Sequence, residues 1–212
     1  MIDPILDRWE YTARDRSRAI VLPDGCRDLI VRWSRDEQPH WFLTSLDASS
    51  RTVESEVGVS MRGYRLRPGV EVDERRLLGT AESRDPYAEA VVDAIESCTK
   101  LDRNVAETLA ALASSNSVEQ ATQSLGVGKR TLQRLVANCT GQTPLFWLQL
   151  ARVRHAAQRL NDGNSLVSIA NETGYSDQPH MTRQFKRWFG VTPRQFAADA
   201  RLTGLIAEPG YV

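Results

Sequence analysis

The sequence predicts an α+β fold, in which a small antiparallel β domain precedes an all-α domain with two helix-turn-helix units bridged by a long helix. Three features of the 212-residue chain lead to this prediction. Short runs of β-branched and aromatic residues fill residues 17–70. The spacing of apolar residues becomes helical from about residue 86. From residue 117 onward, one helical pattern occurs twice.

The N-terminal part contains four strand-like segments. Each is short and rich in residues that favour strands, and polar turns such as Pro23-Asp24-Gly25 and Arg67-Pro68-Gly69 separate them. Four or five short strands with such turns favour a small antiparallel sheet. The segments are residues 19–22, 29–33, 41–46 and 57–66.

Two helices are predicted before the repeat. Apolar residues recur at helical spacing over residues 86–98, and Pro86 suits the first position of that helix. A second helix is predicted over Val105–Ala113, and the polar stretch at 113–117 is a loop. The predicted domains are a β domain with its trailing helix at residues 1–99 and a helical domain at residues 100–212.

Clear start signals for helices mark the C-terminal part. Ser117 and Gln120 match a capping box, in which a hydroxyl and an amide each satisfy a free backbone N–H. Thr192 and Gln195 repeat this box, and Thr143-Pro144 combines a cap with a proline at the first helical position. The apolar residues that follow Pro144 step by four and three, which predicts one buried stripe on a long helix.

The two copies of the repeat span Ser117–Phe146 and Ser165–Phe196. Each contains a cap, a short helix, a turn with glycine, a second helix, a glycine stop and a Thr-Pro restart. The turn glycines, Gly126 and Gly174, are 48 residues apart, and the stop glycines are 49 apart. Two helices joined by a short glycine turn are typical of the helix-turn-helix motif, whose second helix enters the major groove of DNA.

The second helix of each copy has a polar face with a consistent chemistry. Leu132, Leu135 and Val136 are predicted to point inward in the first copy, and Met181 and Phe185 in the second. The remaining residues are Lys129, Arg130, Gln133 and Arg134 in the first copy, and Gln178, His180, Thr182, Arg183, Lys186 and Arg187 in the second.

These outward side chains suit the surface of DNA. Arginine pairs with guanine, glutamine with adenine, and threonine contacts the thymine methyl group, which singles out Arg134 and Arg183 as base readers. Lysine and outer arginine suit phosphates, which assigns Lys129, Lys186 and Arg187 to the DNA backbone. The alternative is a solvated helix face. Such faces usually mix Glu with Lys, whereas these faces carry no acid except the one that starts the second helix.

Charge and composition narrow the class of protein. Residues 117–201 contain eleven Lys and Arg against five Asp and Glu, whereas residues 1–116 contain sixteen against twenty-one. A basic half suits a polyanionic partner. No apolar run reaches the roughly 18 residues of a membrane helix, and no basic apolar leader is present at Met1, so we expect a cytoplasmic protein without a membrane partner. No pattern of catalytic residues or metal ligands occurs, and we expect no enzyme activity, cofactor or metal.

The C-terminal residues resemble the DNA-binding domain of the AraC/XylS family of bacterial transcription regulators. The resemblance covers about two-fifths of the chain, from Ser117 to Ala200. It rests on Leu125-Gly126-Val127, Arg130–Leu135, Thr140-Gly141, Thr143-Pro144, Ile169-Ala170, Gly174–Gln178, Arg183–Arg187, Phe189–Val191 and Thr192-Pro193. In this chain Gly128 stands where the family has a Ser cap, and Pro179 occupies the first turn of the second recognition helix.

The resemblance implies a sequence-specific regulator of transcription that binds double-stranded DNA. A long helix at residues 144–161 would bridge the two units, and their second helices would enter successive major-groove segments roughly 34 Å apart. The family's base-reading positions fall on Arg130, Gln133, Arg134, Gln178, His180, Thr182 and Arg183.

The N-terminal part resembles a shortened cupin-like domain at Leu22–Ile30 and Gly63–Gly69. Such a domain would sense a small-molecule effector or mediate dimerisation. Weak candidates for effector binding are the polar strand residues Arg27, Asp28, Arg62, Tyr64 and Arg67. The alternative is that these residues are exposed or paired within the sheet.

Two other functions compete with regulation. An alkyl-transfer repair enzyme fused to a DNA-binding domain would need four cysteines near its N-terminus, but Cys26 stands alone there, far from Cys98 and Cys139. Alternatively, the acidic N-terminal part serves only dimerisation or docking. The expected partner is DNA, and RNA polymerase is a further candidate. The sequence leaves open whether an effector exists, whether the chain is a monomer or a homodimer, and which operator it reads.

Overall fold

A computed structural model describes residues 2–82, 84–85, 87–160 and 164–212. The strands of the N-terminal part are β1 (Ile5–Thr12), β2 (Ser17–Val21), β3 (Arg27–Trp33), β4 (His40–Leu43), β5 (Arg51–Ser55), β6 (Ser60–Leu66), β7 (Glu71–Val72) and β8 (Thr99–Lys100). Four of them form an antiparallel sheet in the order β1-β6-β3-β4. β2 and β5 form a separate antiparallel ribbon, and β7 pairs with β8.

Two helices pack on one face of the four-stranded sheet. They are α1 (Glu74–Ala81) and α2 (Glu89–Cys98). Alternate residues of β3, Leu29 and Val31, are fully buried, as the two-residue period of a strand requires for a covered face. They belong to one apolar cluster with Leu77 of α1 and Ile95 of α2. The β part therefore has its own hydrophobic core.

The C-terminal part is helical. Its helices are α3 (Arg103–Ala113), α4 (Val118–Leu125), α5 (Lys129–Thr140), α6 (Pro144–Arg159), α7 (Leu166–Glu172), α8 (Gln178–Phe189), α9 (Pro193–Ala198) and α10 (Ala200–Ile206). Trp147, Leu150 and Val153 of α6 are fully buried at the centre of its core. Leu132 of α5 and Phe185 of α8 join the same cluster, so the bridging helix shares its core with both helix-turn-helix units.

The predicted fold class is confirmed, including both helix-turn-helix units and the helix between them. The bounds differ at three places. α2 begins at Glu89 instead of residue 86, and Pro86 lies outside the described residues. α3 begins two residues before the predicted Val105. α6 ends at Arg159, and the predicted end at residue 161 lies outside the described residues.

The sequence did not predict β1, β5, α1 or the two-residue strands β7 and β8, and two predicted strand ends are wrong by three residues. β1 precedes the first predicted strand, and the polar strand β5 lies between the last two. α1 is a short amphipathic helix that Asp73 caps. The predicted strand start at residue 57 is wrong because Gly58 adopts φ of 81° in a turn and β6 begins at Ser60. The predicted strand over 41–46 ends at Leu43.

The predicted caps are present with one shift. Gln195 N–H donates to Thr192 Oγ1 at 3.3 Å and Thr192 N–H donates to Gln195 Oε1 at 2.9 Å, which confirms that capping box. Thr143 accepts a bond from Phe146 N–H. Ser117 caps α4 as predicted, but the Gln120 side chain accepts from Asn116 N–H instead of Ser117 N–H.

The β part and the helical part are in direct contact. Leu22, at the end of β2, is buried within the core of the helical part. The turn that follows passes so close to α6 that a Cβ on Gly25 would lie 2.9 Å from Trp147 Cζ3. Gly69 lies equally close to α3, because a Cβ there would be 2.8 Å from Val105 Cγ1.

Candidate nucleic-acid interface

Each helix-turn-helix unit is closed by glycines in the left-handed region. α4 and α5 are joined by a turn in which Gly126 has φ of 65°, and Gly174 has φ of 76° between α7 and α8. Gly141 and Gly190 end α5 and α8 at φ of 68° and 75°. Other residues pay a steric cost at these angles, so the glycine spacing of the repeat reports real turns and stops.

The polar face of α5 is exposed as predicted. Leu132 and Val136 are buried, and Leu135 is half-buried. Gly128 caps the helix without a side-chain hydrogen bond. The exposed residues are Lys129, Arg130, Gln133 and Arg134.

An ion pair changes the chemistry of this face at Lys129. Lys129 Nζ lies 2.7 Å from Glu119 Oε1 of the preceding helix α4, and both side chains are mostly exposed. Sequence reasoning counted the acids on α5 alone and missed Glu119. The hydrogen bond to Lys129 lowers the pKa of the Glu119 carboxyl. Lys129 must therefore leave a carboxylate in order to contact a phosphate.

On α8, the inward residues Met181 and Phe185 are fully buried, and Arg183, Lys186 and Arg187 are exposed. The remaining candidates Gln178, His180 and Thr182 are half-buried. Asp177 caps the helix by accepting from His180 N–H, and its side chain is the acid expected at this helix start.

Local contacts hold the half-buried residues of α8. His180 Nδ1 lies 3.2 Å from Ser176 Oγ, and its ring meets Tyr175 edge-on at 5.2 Å. Thr182 Oγ1 donates to the Gln178 carbonyl at 3.0 Å, so its methyl group is the part left for a thymine contact. These contacts fix the side-chain orientation before any ligand binds.

The polar faces of α5 and α8 each contribute a residue to the same groove. Gln133 of α5 and His180 of α8 both line one groove of about 510 Å³. Leu145 and Gln149 of the bridging helix α6 lie between them in the same groove, and Leu145 is half exposed. The polar faces of both units therefore border a common groove.

The five effector candidates do not form one site. Arg27 and Arg67 line a cleft of about 340 Å³ between the β part and the end of α5, but Arg27 pairs with Glu74 at 2.8 Å and Arg67 Nε donates to the Asp3 carbonyl. Asp28 accepts from Trp9 Nε1 and pairs with Arg65 elsewhere. Arg62 pairs with Glu10 and stacks on Tyr87, and Tyr64 is buried in the sheet core.

Sequence reasoning missed a buried charge cluster between the two parts. Arg65 lies within 3.5 Å of both Asp24 and Asp28. Burial acts to lower the pKa of Arg65, but the two carboxylates outweigh it and raise that pKa. For Asp24 the effect of burial is larger than that of the opposite charge, so its pKa is raised although Arg65 acts to lower it.

Arg154 of α6 is the most deeply buried charge of this cluster, with 1% of its surface exposed. Its guanidinium donates to the carbonyl oxygens of Pro23, Ile206, Glu208 and Val212 at 3.3–3.4 Å. Burial lowers its pKa. A signal was present in the sequence, since Arg154 follows Val153 and precedes Ala156-Ala157 on the apolar side of a helix where an arginine needs buried acceptors.

The thiols do not suit the nucleophile that an alkyl-transfer enzyme requires. Cys26 is buried, and its pKa is raised by burial and then by the charge of Asp24. The pKa of Cys139 is raised to about 11, by burial first and then by a hydrogen bond to Glu71. A thiol with a raised pKa holds little reactive thiolate at neutral pH.

A family model described as a helix-turn-helix domain matches residues 121–199. The chain contains an AraC-type helix-turn-helix domain. The virulence regulon transcriptional activator VirF of Yersinia enterocolitica is 39% identical over 79 residues, which is 37% of this chain and 28% of VirF. The regulator VirS of Mycobacterium tuberculosis is 31% identical over 157 residues, which is 70% of this chain and 46% of VirS. The chain thus spans less than half the length of these relatives.

Solved structures of AraC-type proteins are similar to parts or most of the chain. The DNA-binding domain of AdpA, solved in complex with a target DNA, is 27% identical with a TM-score of 0.39, and the match covers 44% of this chain and 89% of that one. ToxT from Vibrio cholerae is 10% identical with a TM-score of 0.48, covering 93% of this chain and 98% of ToxT. None of the helices that the structure describes is both long and apolar enough to cross a membrane.

Proposed function

We propose that the chain is a sequence-specific transcription regulator that reads two adjacent major-groove segments of double-stranded DNA. One observation carries the proposal: polar residues of both proposed recognition helices, Gln133 of α5 and His180 of α8, line the same groove. A single duplex can then contact both helices at successive major-groove segments. The relatives named as transcription regulators share this domain.

The proposed roles divide the exposed residues into two groups. Base readers on α5 and α8 supply hydrogen bonds or methyl contacts to base edges. Phosphate contacts position the protein and carry no sequence information. The base readers are Arg130, Gln133, Arg134, Gln178, His180, Thr182 and Arg183, and the phosphate contacts are Lys129, Lys186 and Arg187.

The division into an N-terminal domain at 1–99 and a DNA-binding domain at 100–212 is part of the proposal. It is supported by the two separate apolar clusters, one of which ends near Leu101 while the other begins with Val105 of α3. Three residues of the β part depart from this division, since Leu22 lies in the helical core and Ile20 and Leu46 pack against it. The N-terminal domain would transmit the presence of an effector or of a second copy of the chain, and RNA polymerase is a candidate protein partner.

Selection of bound duplexes from a random pool, repeated at two salt concentrations, tests the proposed function. We expect a motif of two blocks about one helical turn apart, with an affinity that falls steeply as salt rises. Arg134→Ala and Arg183→Ala should each cost about 1–3 kcal/mol and relax the preference at one base, in different blocks. Lys186→Ala should weaken binding to all sequences equally.

Arg18→Ala provides the matched control, because Arg18 is exposed on β2, pairs with Glu54 and lies outside both helix-turn-helix units. It should leave affinity and motif unchanged. If Arg134→Ala and Arg183→Ala reduce binding equally on every sequence, the base-reading assignment is wrong. If the wild type enriches no motif, the function of DNA readout is wrong, and a docking role for the N-terminal part gains support.

A further inference from the structure

The β part contacts the C-terminal end of the second recognition helix. In the loop between β4 and β5, Ser50 N–H donates a 2.7 Å hydrogen bond to the carbonyl oxygen of Trp188, in the last turn of α8. The carbonyls of a last helical turn have no partner within the helix, so this loop supplies one. Leu46 of the same loop packs against the core of the helical part.

The β part also reaches the C-terminal end of the first recognition helix. Residues 69–72 and residues 138–141 line opposite sides of the 340 Å³ cleft described above. Glu71 of β7 and Cys139, in the last turn of α5, line this cleft together. Both recognition helices are thus contacted at the same end.

A third contact lies between these two, on the bridging helix. The turn at Gly25 approaches α6 so closely that a Cβ would be 2.9 Å from Trp147 and 3.1 Å from Leu150. One more turn along the helix, Arg154 donates to the carbonyl of Pro23. The three contacts come from one folded unit, the β part, and they span α5, α6 and α8.

These contacts leave the reading positions free. Trp188 follows Arg183 by five residues, which places the Ser50 contact about 7.5 Å farther along the helix axis. Arg130 and Arg134 of α5 likewise precede the cleft residues at 138–141 and are exposed. The β part therefore contacts the C-terminal ends of both helices and leaves Arg130, Arg134 and Arg183 exposed.

We propose that the β part is a brace that fixes the relative position of the two recognition helices and so determines the spacing of the two DNA blocks that the chain reads. This inference rests on the proposed function. Without the brace, the placement of the units depends on α6 and its packing alone. Each base pair inserted between the blocks moves the second block by about 3.4 Å and rotates it by roughly 35°, and a braced pair of helices cannot follow that change.

The experiment measures affinity for the selected duplex and for duplexes with one base pair removed, one added or two added between the blocks. Ser50→Pro removes the N–H donor, Ser50→Ala keeps it, and Ser49→Pro places the same ring at the neighbouring exposed position. The wild type should bind the native spacing best and lose at least about tenfold for one added base pair.

Ser50→Pro should bind the native spacing about fivefold more weakly, the factor that corresponds to one net hydrogen bond. Its affinity should also vary less across the spacing series than that of the wild type. A smaller fraction of folded protein would lower the affinity for every spacing equally and would not change this profile. Ser50→Ala and Ser49→Pro should keep the wild-type profile. Leu46→Ala, which removes the packing of the same loop, should also flatten the profile. If circular dichroism shows that Ser50→Pro is unfolded, the Leu46→Ala profile alone tests whether the brace sets the spacing.

The outcomes separate the two proposals. If the wild type binds no duplex specifically, the proposed function fails, and the brace fails with it. If the wild type binds a two-block duplex and Leu46→Ala and folded Ser50→Pro keep its spacing profile, the brace is wrong and the proposed function stands. A wild-type profile that is flat from the start also overturns the brace.

Discussion

Replacement of Arg154 tests how much the buried charge cluster contributes to the folded chain. Its guanidinium serves four backbone carbonyls, those of Pro23, Ile206, Glu208 and Val212. In Arg154→Met the apolar stem is kept, but the oxygens of Pro23, Ile206 and Glu208 lose this donor, whereas that of Val212 keeps Gln158 Nε2. An unsatisfied buried acceptor costs about 1–3 kcal/mol.

The bonds of Arg154 are long, at 3.3–3.4 Å, so each carbonyl is counted at the lower end of that range. Release of the guanidinium from its buried site returns part of the desolvation cost. The net loss in free energy of unfolding should be about 2 kcal/mol. Urea denaturation followed by circular dichroism measures it as a lower midpoint at an unchanged slope.

Arg152→Met is the matched control on the same helix. Arg152 is half-buried, donates to the Asn116 carbonyl at 2.7 Å and lies over the Tyr175 ring. Its replacement should cost about 1 kcal/mol. If Arg154→Met lowers the free energy of unfolding by less than about 1 kcal/mol, or if both variants lower it equally, the Arg154 bonds do not hold the two parts of the chain together.

Four further predictions each concern a single residue. Gly141 ends α5 at φ of 68° with open space around it, so Gly141→Ala should destabilise the chain by about 1 kcal/mol. Gly204→Ala, in the interior of α10 with nothing near the added methyl group, should instead stabilise the chain by about 0.5–1 kcal/mol. If both glycine variants shift the midpoint of thermal denaturation in the same direction, these two predictions are contradicted. Burial raises the pKa of Asp24 above its ordinary value of 3.8, so the folded state favours the protonated carboxyl. This preference adds fully to the free energy of unfolding below about pH 4, and the contribution is lost as the pH rises through the raised pKa. Asp24→Asn cannot ionise, and its stability relative to the wild type should therefore increase from about pH 4 to pH 7; a constant difference in urea midpoints would show that the carboxyl does not titrate in this range. The pKa of Cys139 is about 11, so alkylation of this thiol in the native chain at neutral pH should be far slower than after unfolding. Intact mass spectrometry measures the rate. Rapid labelling of Cys26, whose pKa is also raised, would support the alkyl-transfer hypothesis again.

The recognition helices could be predicted from the sequence because their information is local. A period of 3.6 residues decides which side chains of a helix point inward, and Leu132, Val136, Met181 and Phe185 are buried accordingly. Positive φ angles restrict the turns to glycine, so the repeat of glycines located both units. These rules need no knowledge of the rest of the chain.

The contacts that the sequence did not predict join residues far apart along the chain. Arg65 and Arg154 find their partners in turns and in the last residues of the chain, and Ser50 binds through a backbone N–H that any residue except proline carries. Glu119 and Lys129 meet across a helix-turn-helix angle that a helix period does not encode. β5 escaped because a polar ribbon strand lacks an alternating apolar pattern.

The position of Leu22 bears on whether the helical domain can be transplanted into another protein. A segment cut at residue 100 would leave behind the side chain that fills part of its core, together with the turn that Trp147 and Leu150 pack against. A chimaera built from it would start with an apolar hole of leucine size, which in other proteins costs about 2–5 kcal/mol. A functional graft therefore has to carry a short piece of the β2–β3 turn, or a larger side chain on α6 to close the gap.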